Sequence, residues 1–259
     1  MTILEGGNKY LNFLQYERFI PVTEQTLETA KKRIKQISIF WVEKEVEGIS
    51  ISDINSFKKH LLDRGCSLNY VRAYTIVLRS FFKYLATITT CIDHTLIKPP
   101  NVPKNDVDYL TVDEVRKMLG LFNEDVISDL RSKAMVQVIL DTGMRIHECV
   151  ALNRGSIDFE TKTAVIIGKG RKKRMILFTD WSLNLIKKYL SKRTDHDNAL
   201  FVTHTRFPFV PQRIKQDGFR DYLRTISRKM GKKVTPHMLR RTAATTLRNN
   251  GADILMIRD

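Results

Sequence analysis

Along the first third of the chain, apolar side chains recur every three or four residues, the spacing that gathers them on one face of a helix. Leu27, Ala30, Ile34, Ile37, Phe40 and Trp41 follow this period. They predict one amphipathic helix over residues 24–47, closed by Gly48, with Lys31, Lys32 and Lys35 on its exposed face. Ile54, Phe57, Leu61 and Leu62 predict a second helix over 52–64, ended by Gly65. A third begins behind Ser67 and turns Val71, Tyr74, Val77, Leu78, Phe81, Phe82 and Leu85 inward. Residues 23–86 therefore read as a compact helical bundle, with Trp41 and the run Phe81-Phe82-Tyr84 in its core. Upstream, the stretch Tyr10 to Tyr16, stopped by Pro21, reads as an N-terminal arm or short helix within residues 1–22.

The pattern breaks over residues 87–108, where Lys98-Pro99-Pro100-Asn101-Val102-Pro103-Lys104 cannot continue a helix and suits an extended linker. A second domain is expected over 109–259. Thr111 and Glu114 have capping-box spacing and open a helix through Leu121. Further helices are expected at about 127–141, stopping at Gly143, at 145–152, 181–190 and 209–230, and from Pro236 to Asn249. Two β-rich runs, 163–168 and 174–178, flank Lys169-Gly170-Arg171-Lys172-Lys173 and predict a hairpin with a basic tip. The fold class is thus two domains: an all-α bundle followed by a mixed α+β, mainly helical domain with a small β-hairpin.

Charge sharpens this division. Lys and Arg number 44 against 28 Asp and Glu, a net charge of +16, which points to a polyanionic partner and to nucleic acid before membrane. Residues 1–108 carry 15 basic and 12 acidic side chains (+3), and residues 109–259 carry 29 and 16 (+13). The polyanion site is expected in the second part. Cys66, Cys91 and Cys149 form no CxxC pair and have no histidine at ligand spacing, so no metal is expected and the thiols are read as buried. With neither a signal-like N-terminus nor a long apolar run, the chain reads as cytoplasmic, with no membrane partner.

One stretch concentrates candidate chemistry. In Thr235-Pro236-His237-Met238-Leu239-Arg240-Arg241-Thr242, Thr235 reads as an N-cap and Pro236 as the first helical residue. His237 and Arg240 then share one face of the opening turns, where the dipole, free backbone N–H groups and a guanidinium fork favour a phosphate. The bland alternative is a helix start with a satisfied histidine and a solvated arginine.

Two further segments decide between these readings. Asp141-Thr142-Gly143-Met144-Arg145-Ile146-His147-Glu148, then Ile167-Gly168-Lys169-Gly170-Arg171-Lys172-Lys173-Arg174, then His237-Met238-Leu239-Arg240 stand in a fixed order. Together they resemble the tyrosine recombinase (phage integrase) family, whose boxes read TGxRxxE, GKGxKxR and HxLR. The resemblance runs from about Thr23 to Asp259. It implies a core-binding DNA-binding domain over 23–86 and a catalytic domain over 109–259, clamped on double-stranded DNA.

The resemblance also implies roles. Such enzymes cut and rejoin DNA through a 3′-phosphotyrosyl link, with no cofactor and no metal, so protein cations must neutralise the transition state. Arg145 and Arg240 would grip the non-bridging oxygens, Lys169 would protonate the leaving 5′-oxygen, and His237 would handle the tyrosine proton. Glu148 would support them by orienting Arg145 or His237; a plain helix salt bridge is its alternative reading. Arg171, Lys172, Lys173, Arg174 and Arg241, with Lys31, Lys32, Arg72 and Arg79 in the first domain, would contact DNA. His147 would point away from Arg145 and Glu148, a structural residue like His60, His94, His196 and His204.

The family pattern continues into a Gly-His box and the nucleophilic tyrosine, and the sequence stops at Asp259, before both. No tyrosine lies beyond Tyr222, and no nucleophile is assigned. The polypeptide as written is accordingly expected to bind DNA without cleaving it and to stay monomeric, where longer forms would be dimers to tetramers on DNA. A non-catalytic DNA-binding remnant or regulator of the same family is the alternative.

Overall fold

The computed structural model describes residues 1–20, 22–103, 108–168, 173–204 and 210–251. It divides into two compact units, Met1–Asn105 and Asp106–Asp259.

The first unit is all helical. Its four α-helices are α1 (Ile3–Asn12), α2 (Glu24–Phe40), α3 (Ile51–Asp63) and α4 (Leu68–Leu85). Each starts on a side-chain cap, from Thr2, Thr23, Ser50 and Ser67 respectively, so the first orphan N–H groups are satisfied locally. Ile34, Ile37, Ile54, Phe57, Leu78, Phe81, Phe82 and Leu85 are at most 2% exposed and form the core. Their burial, at about 25 cal/mol per Å² of apolar surface, drives the bundle together. α1 is built into this core through Ile3 and Tyr10 rather than standing off as an arm. It approaches α2 so closely that a Cβ on Gly7 would lie 2.5 Å from Ile34 Cγ2.

α2 ends at Phe40, seven residues short of the periodicity-based reading. The chain turns at Trp41, and the reversal buries both Trp41 and Val46, whose N–H donates to the Met1 carbonyl (2.9 Å). The proline-rich segment is tied to the first unit up to residue 100. Ile97 is fully buried, Lys58 Nζ donates to the Lys98 carbonyl (3.1 Å), and Arg72 Nη1 to that of Pro100 (2.9 Å).

In the second unit, α5 (Val112–Gly120), α6 (Ile127–Thr142) and α7 (Ile146–Ala151) precede a three-stranded antiparallel sheet. Its strands are β1 (Ile157–Asp158), β2 (Thr163–Ile167) and β3 (Lys173–Leu177), in the order β1-β2-β3. Helices α8 (Asp180–Ser191), α9 (Gln216–Met230) and α10 (Pro236–Asn249) follow. β1 extends the expected hairpin to a sheet; at two residues it is too short to leave a period in the sequence. Ala164, Ile166 and Ile176 face the core, while Val165, Ile167, Met175 and Leu177 alternate outward. α6 is the central helix: Leu130, Ala134, Met135, Val138 and Ile139 are wholly buried, and α8 and α10 both pack on it. α9 begins at Gln216, and its expected start at Phe209 lies outside the described residues. Of the cysteines only Cys149 is buried; Cys66 and Cys91 are half-buried because their loops lie at the rim of the first core.

Candidate nucleic-acid interface

The site is assembled on the turn that ends α6. Gly143 closes that helix in the left-handed region (φ 61°), a conformation glycine adopts without strain. Thr142 Oγ1 accepts from the Met144 N–H (3.2 Å), and Met144 is fully buried, so the chain is fixed as it enters Arg145. Arg145 is extended (φ −76°, ψ 150°) and caps α7. Its own N–H donates to Glu148 Oε2 (2.7 Å), one turn on.

Glu148 is the hub. Its side chain is 1% exposed, and it accepts from Arg145 Nη1 (3.3 Å) and Arg174 Nη2 (2.8 Å) as well as from that backbone N–H. Among the described residues it makes no hydrogen bond to His237; its partners are the two guanidiniums. A buried carboxylate needs this pairing to remain charged. His147, its neighbour, points outward as expected.

Arg240 arrives from α10. Thr235 caps this helix, its Oγ1 accepting from the Met238 N–H (3.1 Å), and Pro236 opens it. Arg240 Nη1 donates to the Gly143 carbonyl, bringing a residue 97 positions later onto the turn before Arg145. Burial, then Arg145, then Arg174 hold the Arg240 guanidinium below its ordinary proton affinity. Arg174 and Arg240 line a pocket of about 270 Å³ with Asp141, Thr142 and Gly143.

His237 lies at the start of the same helix, on the wall of a second cleft of about 700 Å³. Burial and then the charges of Arg241 and Arg240 lower its pKa below the ordinary histidine value, so it is held neutral near pH 7. The cleft is lined also by Arg220, Arg224, Arg228 and Lys233. The three arginines recur every four residues along α9, whose opposite face buries Phe219, Leu223 and Ile226. That spacing was visible in the sequence, and the motif-based list of DNA contacts omitted it.

The other candidates are placed as follows. Arg241 and Lys173 are exposed. Lys169, Arg171 and Lys172 lie outside the described residues. Lys31, paired with Glu28 (2.8 Å), and Lys32 are exposed on α2, and Arg72 and Arg79, seven residues apart, are exposed on one face of α4. Among the tyrosines of the second unit, Tyr189 is wholly buried, accepting from the Val202 N–H and bonded to His204 Nε2. Tyr222 stacks on Phe122, and Tyr109 is exposed.

Comparison with known proteins identifies relatives of the whole chain. The chain is 28% identical over 266 residues to the tyrosine recombinase XerD of Oceanobacillus iheyensis, covering 96% of this chain and 86% of the relative. It is also 28% identical over 219 residues to the tyrosine recombinase XerC of Pediococcus pentosaceus, covering 80% and 71%. In fold it resembles the integrase of transposon Tn1549 solved in complex with circular intermediate DNA (TM-score 0.76, 15% identity, 100% of this chain and 90% of that one). A lambda integrase tetramer bound to a Holliday junction is similar as well (TM-score 0.80, 16% identity, 98% and 75%). The profile of the phage integrase family matches residues 108–259, more than half of the sequence, and the chain belongs to that family of tyrosine recombinases.

Proposed function

We propose that this protein binds double-stranded DNA and that its second unit grips the scissile phosphate in the strand cutting and rejoining of site-specific recombination. The observation that carries the reading is the convergence of three guanidiniums at one turn, Arg145 and Arg174 on the buried Glu148 carboxylate and Arg240 on the Gly143 carbonyl. Three guanidiniums outnumber the carboxylates of Glu148 and Asp141 at the Gly143 turn, leaving an excess of positive charge. Such an excess suits the negative charge that builds on a phosphoryl group in its transition state.

In this reading Arg145 and Arg240 donate to the non-bridging oxygens. His237, neutral and adjacent, accepts the proton of the attacking tyrosine hydroxyl as its oxygen bonds to phosphorus. Lys169, in the basic run of sequence between β2 and β3, supplies the proton that the departing 5′-oxygen needs. The 3′-phosphotyrosine is reversed by a second 5′-hydroxyl, so bond energy is conserved without a nucleotide cofactor. Tyr189 and Tyr222 are engaged elsewhere and are not assigned as the nucleophile. The basic stripe of α9 with Lys233 carries the strand past the site. In the first unit Lys31, Lys32, Arg72 and Arg79 supply phosphate contacts.

Duplex binding measured against salt tests the interface. The logarithm of the affinity should fall linearly with log salt, and Arg228→Gln and Lys233→Gln should each reduce the slope by about 1. A salt-independent affinity would sink the proposal. Wherever the wild type forms a covalent DNA adduct, Arg145→Ala should abolish it, and unimpaired cleavage by that variant removes Arg145 from the site.

A further inference from the structure

The structure assigns Arg174 as a positioning residue that acts through Glu148 on Arg145, rather than as a ligand of the DNA backbone. This assignment deepens the proposed phosphate site and rests on it. The register of the sheet comes first. Arg174 lies opposite Ile166 and two residues before Ile176, both buried, so strand alternation turns it toward the protein interior. Lys173 and Met175, its neighbours, face solvent.

The carboxylate it reaches is the one that fixes Arg145. Arg174 Nη2 donates to Glu148 Oε2 (2.8 Å), the same oxygen that takes the Arg145 backbone N–H (2.7 Å), while Oε1 takes Arg145 Nη1 (3.3 Å). The Arg174 bond is the shorter of the two guanidinium contacts, and it comes from a different element. Without it the carboxylate would be held from α7 alone and could rotate toward Arg145. The Arg145 fork would then close on its own helix instead of presenting donors outward. Charge-assisted bonds of this kind add geometric restraint to energy. Arg174 also lies on the strand leaving the segment that carries Lys169, so one ion pair couples that strand to the Arg145 turn.

The test reads the arginine side chains directly, by the Nε–Hε resonances of Arg145, Arg174 and Arg240 in the intact chain, free and titrated with inorganic phosphate. Arg174→Gln is expected to shift the Arg145 signal in the free protein and to weaken phosphate about tenfold, the loss of one hydrogen bond to a charged group. Glu148→Gln should do the same, and the double variant should be no worse than Glu148→Gln alone. Independent losses that multiply in the double variant, with the Arg145 signal of the free protein unmoved by Arg174→Gln, would overturn the assignment. If the variants do not fold, the wild type decides. Phosphate that shifts Arg174 as far as Arg145 and Arg240 makes it a direct ligand and overturns the assignment, whereas a smaller shift supports it. Phosphate that moves none of the three signals refutes the phosphate site itself, and the free-protein shift in Arg174→Gln still reports the link through Glu148.

Discussion

The two units keep their charges in different places. In the first, the fully buried side chains are aliphatic and aromatic, and its buried polar groups are hydroxyls such as Ser38 and Thr75; its cations ride on the surface of α2 and α4. In the second, Arg131, Glu148 and Arg193 are all less than 9% exposed. Arg193 pairs with Asp195 and donates to the carbonyls of Ala199 (2.6 Å) and Leu200 (3.0 Å), and Arg131 Nη1 donates to that of Val202 (2.9 Å). The first unit is held by apolar burial, and cations can be placed on it freely. The second uses guanidiniums as internal struts, so part of its positive charge belongs to its architecture.

The sharpest way to break the contrast is to remove one strut. Arg193→Met leaves the Asp195 carboxylate and the carbonyls of Asp197, Ala199 and Leu200 short of a donor, and should cost roughly 3–5 kcal/mol in denaturant unfolding; a loss under about 1 kcal/mol would mean the strut idea is wrong.

A smaller effect comes from pH. Burial, then Arg131 and Arg193, lower the pKa of His204 to about 4. Between that value and the ordinary 6.5 the unfolded chain binds a proton that the folded chain refuses. Stability should therefore rise with pH across this window, be complete above 6.5, and be lost on acidification toward about 4. The total is about 2 kcal/mol after allowing for partial exposure. His204→Gln should flatten this part of the profile, and an unaltered profile would show that another group sets it.

The smallest effect is expected in the first unit. Lys31→Gln removes an exposed pair with Glu28 and should leave the unfolding midpoint unchanged, while duplex binding loses about one unit of salt slope. A clear loss of stability there would erase the distinction between the units.

The parts of the fold written locally were legible in the sequence. The caps at Ser67, Thr111 and Thr235, the stops at Gly65 and Gly143, and the apolar stripes of α3 and α4 each depend on neighbours within a few residues. What needed distant partners was not. α2 stops early because Val46 has a place in the core and Met1 has an acceptor for it, neither of which leaves a period in the chain. Arg131 and Arg193 give no sign of burial, because their acceptors are carbonyls of residues 197–202 that meet them only after folding.

The site divides in the same way. Its first and third boxes name Arg145, Glu148 and Arg240, and the structure brings these to the Gly143 turn, while Lys169 of the second box lies outside the described residues. The turn of Arg174 toward Glu148 was available from its two-residue offset to Ile176, yet four neighbouring cations made it look like one more surface charge. The α9 stripe was available from its four-residue spacing.

The bond between Arg240 and the Gly143 carbonyl also sets a clock on folding. α10 must return to α6, and its Thr242 hydroxyl must take the Leu110 N–H from 132 residues upstream, before the cationic cluster exists. Closing loops of that length is slow relative to helix formation. A chain emerging N-terminus first completes the bundle long before it completes the arginine cluster. Nascent molecules would thus pass through synthesis, close to a great excess of ribosomal polyanion, without the finished cationic cluster.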